Sequence, residues 1–284
     1  MPTHLTILAS GSSGNCALLE HDDTAILIDA GISAKKICHH LDSLGVPLTR
    51  IAALLITHEH SDHVAGALQL GKSGIPLHTN SGTYQYLREK WGTRTPPVKI
   101  FQNGSPFTIG PITILPVPVA HDACDPVAFH ITAGTHRIAI ATDIGTPSHL
   151  VTHRLRDCHL LYLESNHDPA LLQADTKRPW SVKQRILSRH GHLSNQAAAR
   201  LALDLITKNT TELILGHLSS DCNTVDAVRA AFAHTLCPVA AHTRITICQP
   251  NTDIPCKITL EPPANGAAPA PLHGPISSHG TVQA

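Results

Sequence analysis

The stretch that most constrains this chain is Thr57-His58-Glu59-His60-Ser61-Asp62-His63, which follows directly on the apolar run from Ile51 to Ile56. Four side chains able to hold a metal therefore stand where a buried strand surfaces into a loop. In extended chain, His58 and His60 project to one side and can grip one ion, while Asp62 and His63 lie past the bend and can face a second. A zincin helix is excluded, because that motif needs a second His four positions after the first and Asp62 stands there. With 22 histidines in the chain, a chance match to His-x-His-x-Asp-His has a probability of roughly 1%.

Three further residues share this placement at the C-terminal end of a predicted strand. His121 follows Ile112 to Ala120, Asp143 follows Ile138 to Thr142, and His217 follows Leu213 to Gly216. Ligands spread over several strand ends suit a rigid metal site, because the sheet fixes their spacing. All these donors are nitrogen or oxygen, which favours zinc and is compatible with manganese or iron.

At 284 residues, 42% apolar and 15% charged, the chain is long enough for one large α/β domain, expected over residues 1–260. Residues 261–284 are rich in Pro, Ala, Gly and Ser and read as a disordered tail without a catalytic part. No apolar stretch approaches a membrane span and no basic leader precedes Leu5 to Leu8, so a cytoplasmic protein without a membrane partner is expected. The eight cysteines form no Cys-x-x-Cys pair, which excludes a zinc knuckle and a thioredoxin-type motif; most are expected to be buried free thiols. A formal net charge of +0 means that any polyanion must be held by local features.

Strands are expected at 5–9, 16–20, 24–28, 51–56, within 98–131, and at 137–141, 159–163, 212–215 and 244–248. Helices are expected at 33–44, 63–71, 81–91, 179–189, 194–208 and 224–235. Two β-rich halves with flanking helices suggest two facing sheets covered on the outside.

This pattern strongly resembles the metallo-β-lactamase fold superfamily. The segments Ala9 to Cys16, Thr57 to His63, His121 to Pro126, Glu164-Ser165-Asn166-His167-Asp168, Pro179 to Ser188 and Gly191-His192-Leu193-Ser194-Asn195 narrow it to the WalJ/YycJ group of bacterial proteins, over residues 5 to 248. The resemblance implies an α/β protein with a four-layer αββα sandwich and a metal-dependent 5′-to-3′ exonuclease on DNA. It implies that His58, His60 and His121 hold one ion, that Asp62, His63 and His217 hold the other, and that Asp143 bridges them. Asp29, in Ile28-Asp29-Ala30-Gly31, is then an orienting residue behind the ligands. The Glu164 and His192 regions are also similar to ribonuclease Z and the PhnP phosphodiesterases.

Two divalent ions acidify water and grip phosphoryl oxygens, and Asp62 can additionally orient or deprotonate the attacking water. His192, outside the ligand set, is the candidate acid for the leaving group, oriented by Glu164. Lys183, Arg185 and Arg189, with Lys177 and Arg178, gather charge around Trp180 and are expected to bind phosphates and stack a base. The Gly-rich turn from Ser10 to Asn15 offers backbone N–H groups as a further phosphate cradle. The nucleic acid expected is DNA; RNA, a small cyclic nucleotide, or a thioester or lactone are the alternative substrates for such a centre.

Overall fold

In a strand, successive side chains point to opposite faces, so a strand whose every residue is apolar must be covered on both sides. Leu160-Leu161-Tyr162-Leu163-Glu164 is buried throughout. Its even residues Leu160 and Tyr162 enter one core, and its odd residues Leu161 and Leu163 enter another. The computed structural model, which describes residues 1–236, 241–250, 252 and 254–262, shows what supplies the two covers.

The first sheet holds β1 (Thr3–Ala9), β2 (Cys16–His21), β3 (Thr24–Ile28), β4 (Ile51–Leu55), β5 (Leu77–Thr79), β6 (Val98–Ile100) and β14 (Cys256–Leu260), in the order β14-β1-β2-β3-β4-β5-β6. The second holds β7 (Phe107–Ile109), β8 (Ile112–Pro118), β9 (Val127–Ala133), β10 (His136–Ala141), β11 (Leu160–Glu164), β12 (Glu212–Gly216) and β13 (Arg244–Ile247), in the order β13-β12-β11-β10-β9-β8-β7. Both are mixed. The hairpin-connected strands pair antiparallel, and β3-β4-β5-β6 and β10-β11-β12-β13 run parallel.

Between the sheets lies a core that includes Ile7, Ile28, Leu55, Phe129, Ile140 and Tyr162. The outer face of the first sheet packs on α1 (Ala34–Ser43), α3 (Ala67–Lys72) and α4 (Ser81–Trp91) through Ile37, Leu41, Leu70, Leu87 and Trp91. The outer face of the second packs on α5 (His149–Leu155), α8 (Asn195–Leu205) and α9 (Val225–Leu236) through Val151, Leu155, Leu201, Leu205 and Phe232. The result is the expected αββα sandwich. Among the described residues no helix is long and apolar enough to cross a membrane.

The helix expected at 63–71 is two short pieces, α2 (Ser61–Val64) and α3. The break falls at Gly66, where a Cβ would stand 2.5 Å from Ile32 O; the chain presses there against the loop after β3, and only glycine permits the approach. The short strand β5, helices α5 and α6 (Pro169–Ala174), and strand β14 were not expected from the sequence. The predicted tail lies outside the described residues from position 263 onward.

Candidate metal centre

The ligand-capable atoms of His58, His60 and His121 lie within 4.8 Å of one another, and so do those of Asp62, Asp143 and His217. Asp143 also groups with His58 and His63, and with His121 and His192. The structure thus brings all seven expected ligands into one constellation with Asp143 at its centre. They come from both sheets: His58 to His63 from the end of β4, His121 from the loop after β8, Asp143 from the end of β10 and His217 from the end of β12.

Hydrogen bonds assign a tautomer to several rings, each leaving one nitrogen lone pair for the centre. His58 Nδ1–H donates to Thr57 Oγ1 at 3.0 Å, which leaves Nε2 buried with no partner. His60 Nε2–H donates to the Asp122 carbonyl at 3.2 Å and leaves Nδ1. His121 Nδ1–H donates to the Gly191 carbonyl at 3.1 Å and leaves Nε2. His63 Nδ1–H donates to Asp29 Oδ2 at 2.8 Å and turns Nε2 toward Asp143. Asp29 also accepts from the Thr57 N–H at 2.8 Å and the Thr57 hydroxyl at 2.9 Å, so one carboxylate fixes the heptapeptide and one ring. Such outer partners hold a ligand's orientation and raise its basicity.

Asp143 Oδ2 stands 2.8 Å from His217 Nδ1 and 3.0 Å from His63 Nε2. Yet Asp143 Oδ2 and His217 Nδ1 are both buried without a hydrogen-bond partner. Close approach without hydrogen-bond alignment is what lone pairs converging on a third point produce, and an unsatisfied buried group is costly. The donor set and its orphaned atoms fit divalent metal. Burial holds the His58 ring well below its usual pKa, keeping it neutral as a ligand must be. Burial opposes charge on Asp143 too, but His217 and His63 outweigh it and hold its carboxyl well below the usual range.

Asp29, Asp143 and His217 adopt left-handed backbone, with φ of 58°, 56° and 54°. Non-glycine residues enter that region at a cost of about 1 kcal/mol or more, and here each turns the chain sharply at a strand end. Gly31 completes the local fit, since a Cβ there would lie 1.6 Å from Asp62 O.

Beside the ligands, His192 Nδ1 is 2.9 Å from Glu164 Oε1, and its ring lies 5.1 Å from His121 and 5.3 Å from His217. Glu164 is fully buried; Oε1 also accepts the Leu193 N–H and Oε2 the Ile144 N–H. Burial disfavours the charged His192 ring, but the charge and hydrogen bond of Glu164 prevail and push its pKa up to about 9.

The expected phosphate-binding cluster is brought together only in part. Lys183, on α7 (Trp180–Ile186), is buried and its ammonium donates to the Gln173 carbonyl at 2.8 Å and to the Asp175 carbonyl, so it braces the preceding segment instead of facing a substrate. Lys177 pairs with Asp221, and Arg178 with Asp175 and Asp221. Arg185 remains largely exposed and is paired with Asp122, whose Oδ1 lies 3.3 Å from His121 Nε2. Arg189 is exposed, as is Trp180 at 59%.

The Gly-rich turn serves the ligands from behind. Gly11 N–H donates to Asn15 Oδ1, Asn15 Nδ2 reaches His63 Nε2 at 3.1 Å, and Ser10 Oγ accepts the His217 N–H at 2.8 Å. Asn166 Nδ2 donates to the His217 carbonyl at 3.0 Å. Sequence reasoning assigned no such role to Ser10, Asn15, Thr57 or Asn166; their nearness to the recognised segments was the one signal available.

Comparison with known proteins agrees with this geometry. Residues 24–218 match the Beta-lactamase superfamily domain. The chain is 33% identical over 238 residues to Exodeoxyribonuclease YycJ of Bacillus anthracis, covering 83% of this chain and 90% of that one. It is 36% identical over 222 residues to Exodeoxyribonuclease WalJ of Streptococcus pneumoniae, covering 77% and 82%. Among solved structures it is similar to the metallo-beta-lactamase fold protein YhfI from Bacillus subtilis, with a TM-score of 0.67 and 19% identity over 90% of this chain and 99% of that one. A diphosphatase of the PhnP family matches with a TM-score of 0.63 and 17% identity, over 92% and 98%.

Proposed function

Because the chain belongs to the beta-lactamase superfamily, and within it to the WalJ/YycJ group, we propose that this metallo-hydrolase is a DNA exonuclease that works from the 5′ end with two divalent ions. The observation that carries the reading is His192, bonded to the buried carboxylate of Glu164, standing beside the overlapping His/Asp clusters. A phosphodiester needs both parts: positive charge for its oxygens and a proton for its departing alkoxide. Both relatives are exodeoxyribonucleases, which favours DNA as the polymer.

His58, His60 and His121 would hold one ion, Asp62, His63 and His217 the other, with Asp143 between them. Bound divalent ions supply Lewis-acid charge to a phosphoryl oxygen and acidify water. Asp62, 21% exposed at the rim, would orient or deprotonate the attacking water. His192 donates its proton to the leaving oxygen, and Glu164 keeps the ring turned and charged. Arg185, 59% exposed, takes backbone phosphates of the incoming strand, and Trp180 stacks a base.

Digestion of end-labelled single- and double-stranded DNA and RNA by metal-reconstituted full-length protein tests the reading. Stepwise release of nucleotides from the 5′ end of DNA is the expected result. Inertness toward both polymers, with turnover of a thioester or lactone, would overturn it.

A further inference from the structure

Two thiols meet where the two sheets end side by side. Cys248 follows β13 of the second sheet, is 5% exposed, and donates its N–H to the Leu215 carbonyl at 2.8 Å. Cys256 opens β14 of the first sheet, pairs with Ile7 of β1, and is half-buried against the core that contains Cys248. Their thiols are neighbours, each the first influence on the other's acidity. Both line an open cavity of about 420 Å³, together with Ile7, Ser10, Ile254 and Thr252.

Two thiols packed in one core cluster and facing one cavity can close to the sulfur–sulfur bond length of about 2.05 Å, and the open cavity admits a small reagent. We propose that Cys248 and Cys256 are a dithiol oxidised reversibly to a disulfide by exchange with a low-molecular-weight disulfide such as oxidised glutathione. The Cys256 thiolate attacks one sulfur of the reagent, the reagent's S–S bond breaks, and one small thiol leaves carrying a proton. Cys248 then attacks the Cys256 sulfur of the mixed disulfide, loses its own proton, and expels the second small thiol. Two protein thiols are oxidised and one small disulfide is reduced to two thiols.

The division of labour follows from the surroundings. Neighbouring Cys248 lowers the Cys256 thiol to about 7 against the opposing effect of burial, and Arg244 adds to the lowering. Cys248 is held above its usual value by Cys256 and by burial, so it resolves instead of attacking first. The other described cysteines lack this combination: Cys16 and Cys158 are buried with thiols pushed up, and exposed Cys124 is raised to about 11.

The test is incubation of the metal-loaded full-length protein with oxidised glutathione, followed by alkylation, digestion and peptide mass mapping. The expected product is a Cys248–Cys256 linked peptide pair, lost on treatment with dithiothreitol. Cys248→Ser should trap glutathione on Cys256, and Cys256→Ser should remove both products. Glutathione found on Cys124 or Cys38 while Cys248 and Cys256 remain alkylated would overturn the proposal. So would an adduct that persists on Cys256 in the unsubstituted chain without closing onto Cys248.

Discussion

Glu164 accepts a hydrogen bond from His192 at 2.9 Å across 28 residues of chain, and with its other oxygen it holds the Ile144 N–H next to Asp143. One buried carboxylate thus ties the His192 ring to the turn that carries Asp143. His192→Ala should keep metal and fold but lose about 10² to 10⁴ in rate on DNA, while a nitrophenyl phosphodiester, whose leaving group needs little protonation, is largely spared. Equal losses on the two substrates, at unchanged metal content, would leave His192 as a binding residue only.

Metal stoichiometry is the second expectation. Elemental analysis of protein saturated with zinc or manganese should find two ions per chain, and His60→Ala or Asp143→Ala should remove activity. A ceiling of one ion per chain would sink the dinuclear assignment.

Asp29 touches His63 and Thr57 and stands behind the ligands, so its effect should appear in affinity. Asp29→Ala is expected to weaken metal binding about 10- to 100-fold, read by competition with a chelating dye. Unchanged affinity would mean that the left-handed turn, and not the carboxylate, is what matters at this position.

Arg185 and Arg189 differ from Lys183 in being exposed near the rim. Charge reversal at both should raise KM for DNA and flatten its salt dependence, with little change on a small diester reporter. Parallel losses on both substrates would point to disturbed folding through the Asp122 pair.

A pH effect on stability is expected at His78, 8% exposed in β5 and stacked on Phe107 with ring centroids 5.8 Å apart. Burial, aided by Lys99, lowers its pKa to about 4 from an ordinary 6.5. The unfolded chain therefore binds a proton before the folded one, and stability present above pH 6.5 falls as pH drops toward 4. Between those two values one extra proton on the unfolded chain costs at most about 1.4 kcal/mol of stability per pH unit. His78→Phe should lose less stability than the unsubstituted chain between neutral pH and about pH 5 in urea denaturation. Identical losses would refute the assignment.

What could be read in advance was whatever local pattern encodes. Donors after apolar runs announced the centre, and two β-rich halves with flanking helices announced two covered sheets. The left-handed turns at Asp29, Asp143 and His217 were not legible, because Asp and His tolerate many conformations and only tertiary packing selects this one. Lys183 shows the matching difficulty. A cation beside Arg185 suggests a shared face, but nothing local tells that its ammonium turns inward to two carbonyls. Strands β5 and β14 escaped for lack of length or of an apolar run, and each exists because a neighbour offers an edge.

The pairing of β1 with β14 joins Thr3 to Leu260 and Ile7 to Cys256. Pairing with β2 covers one side of β1 soon after it emerges from the ribosome, but the partner for its other side is made some 255 residues later. Throughout synthesis the outer edge of Thr3 to Ala9 therefore presents open backbone donors and acceptors, the kind of template on which nascent chains associate. The strand order thus delays protection of that edge, and a chain cut short before Cys256 would carry it exposed.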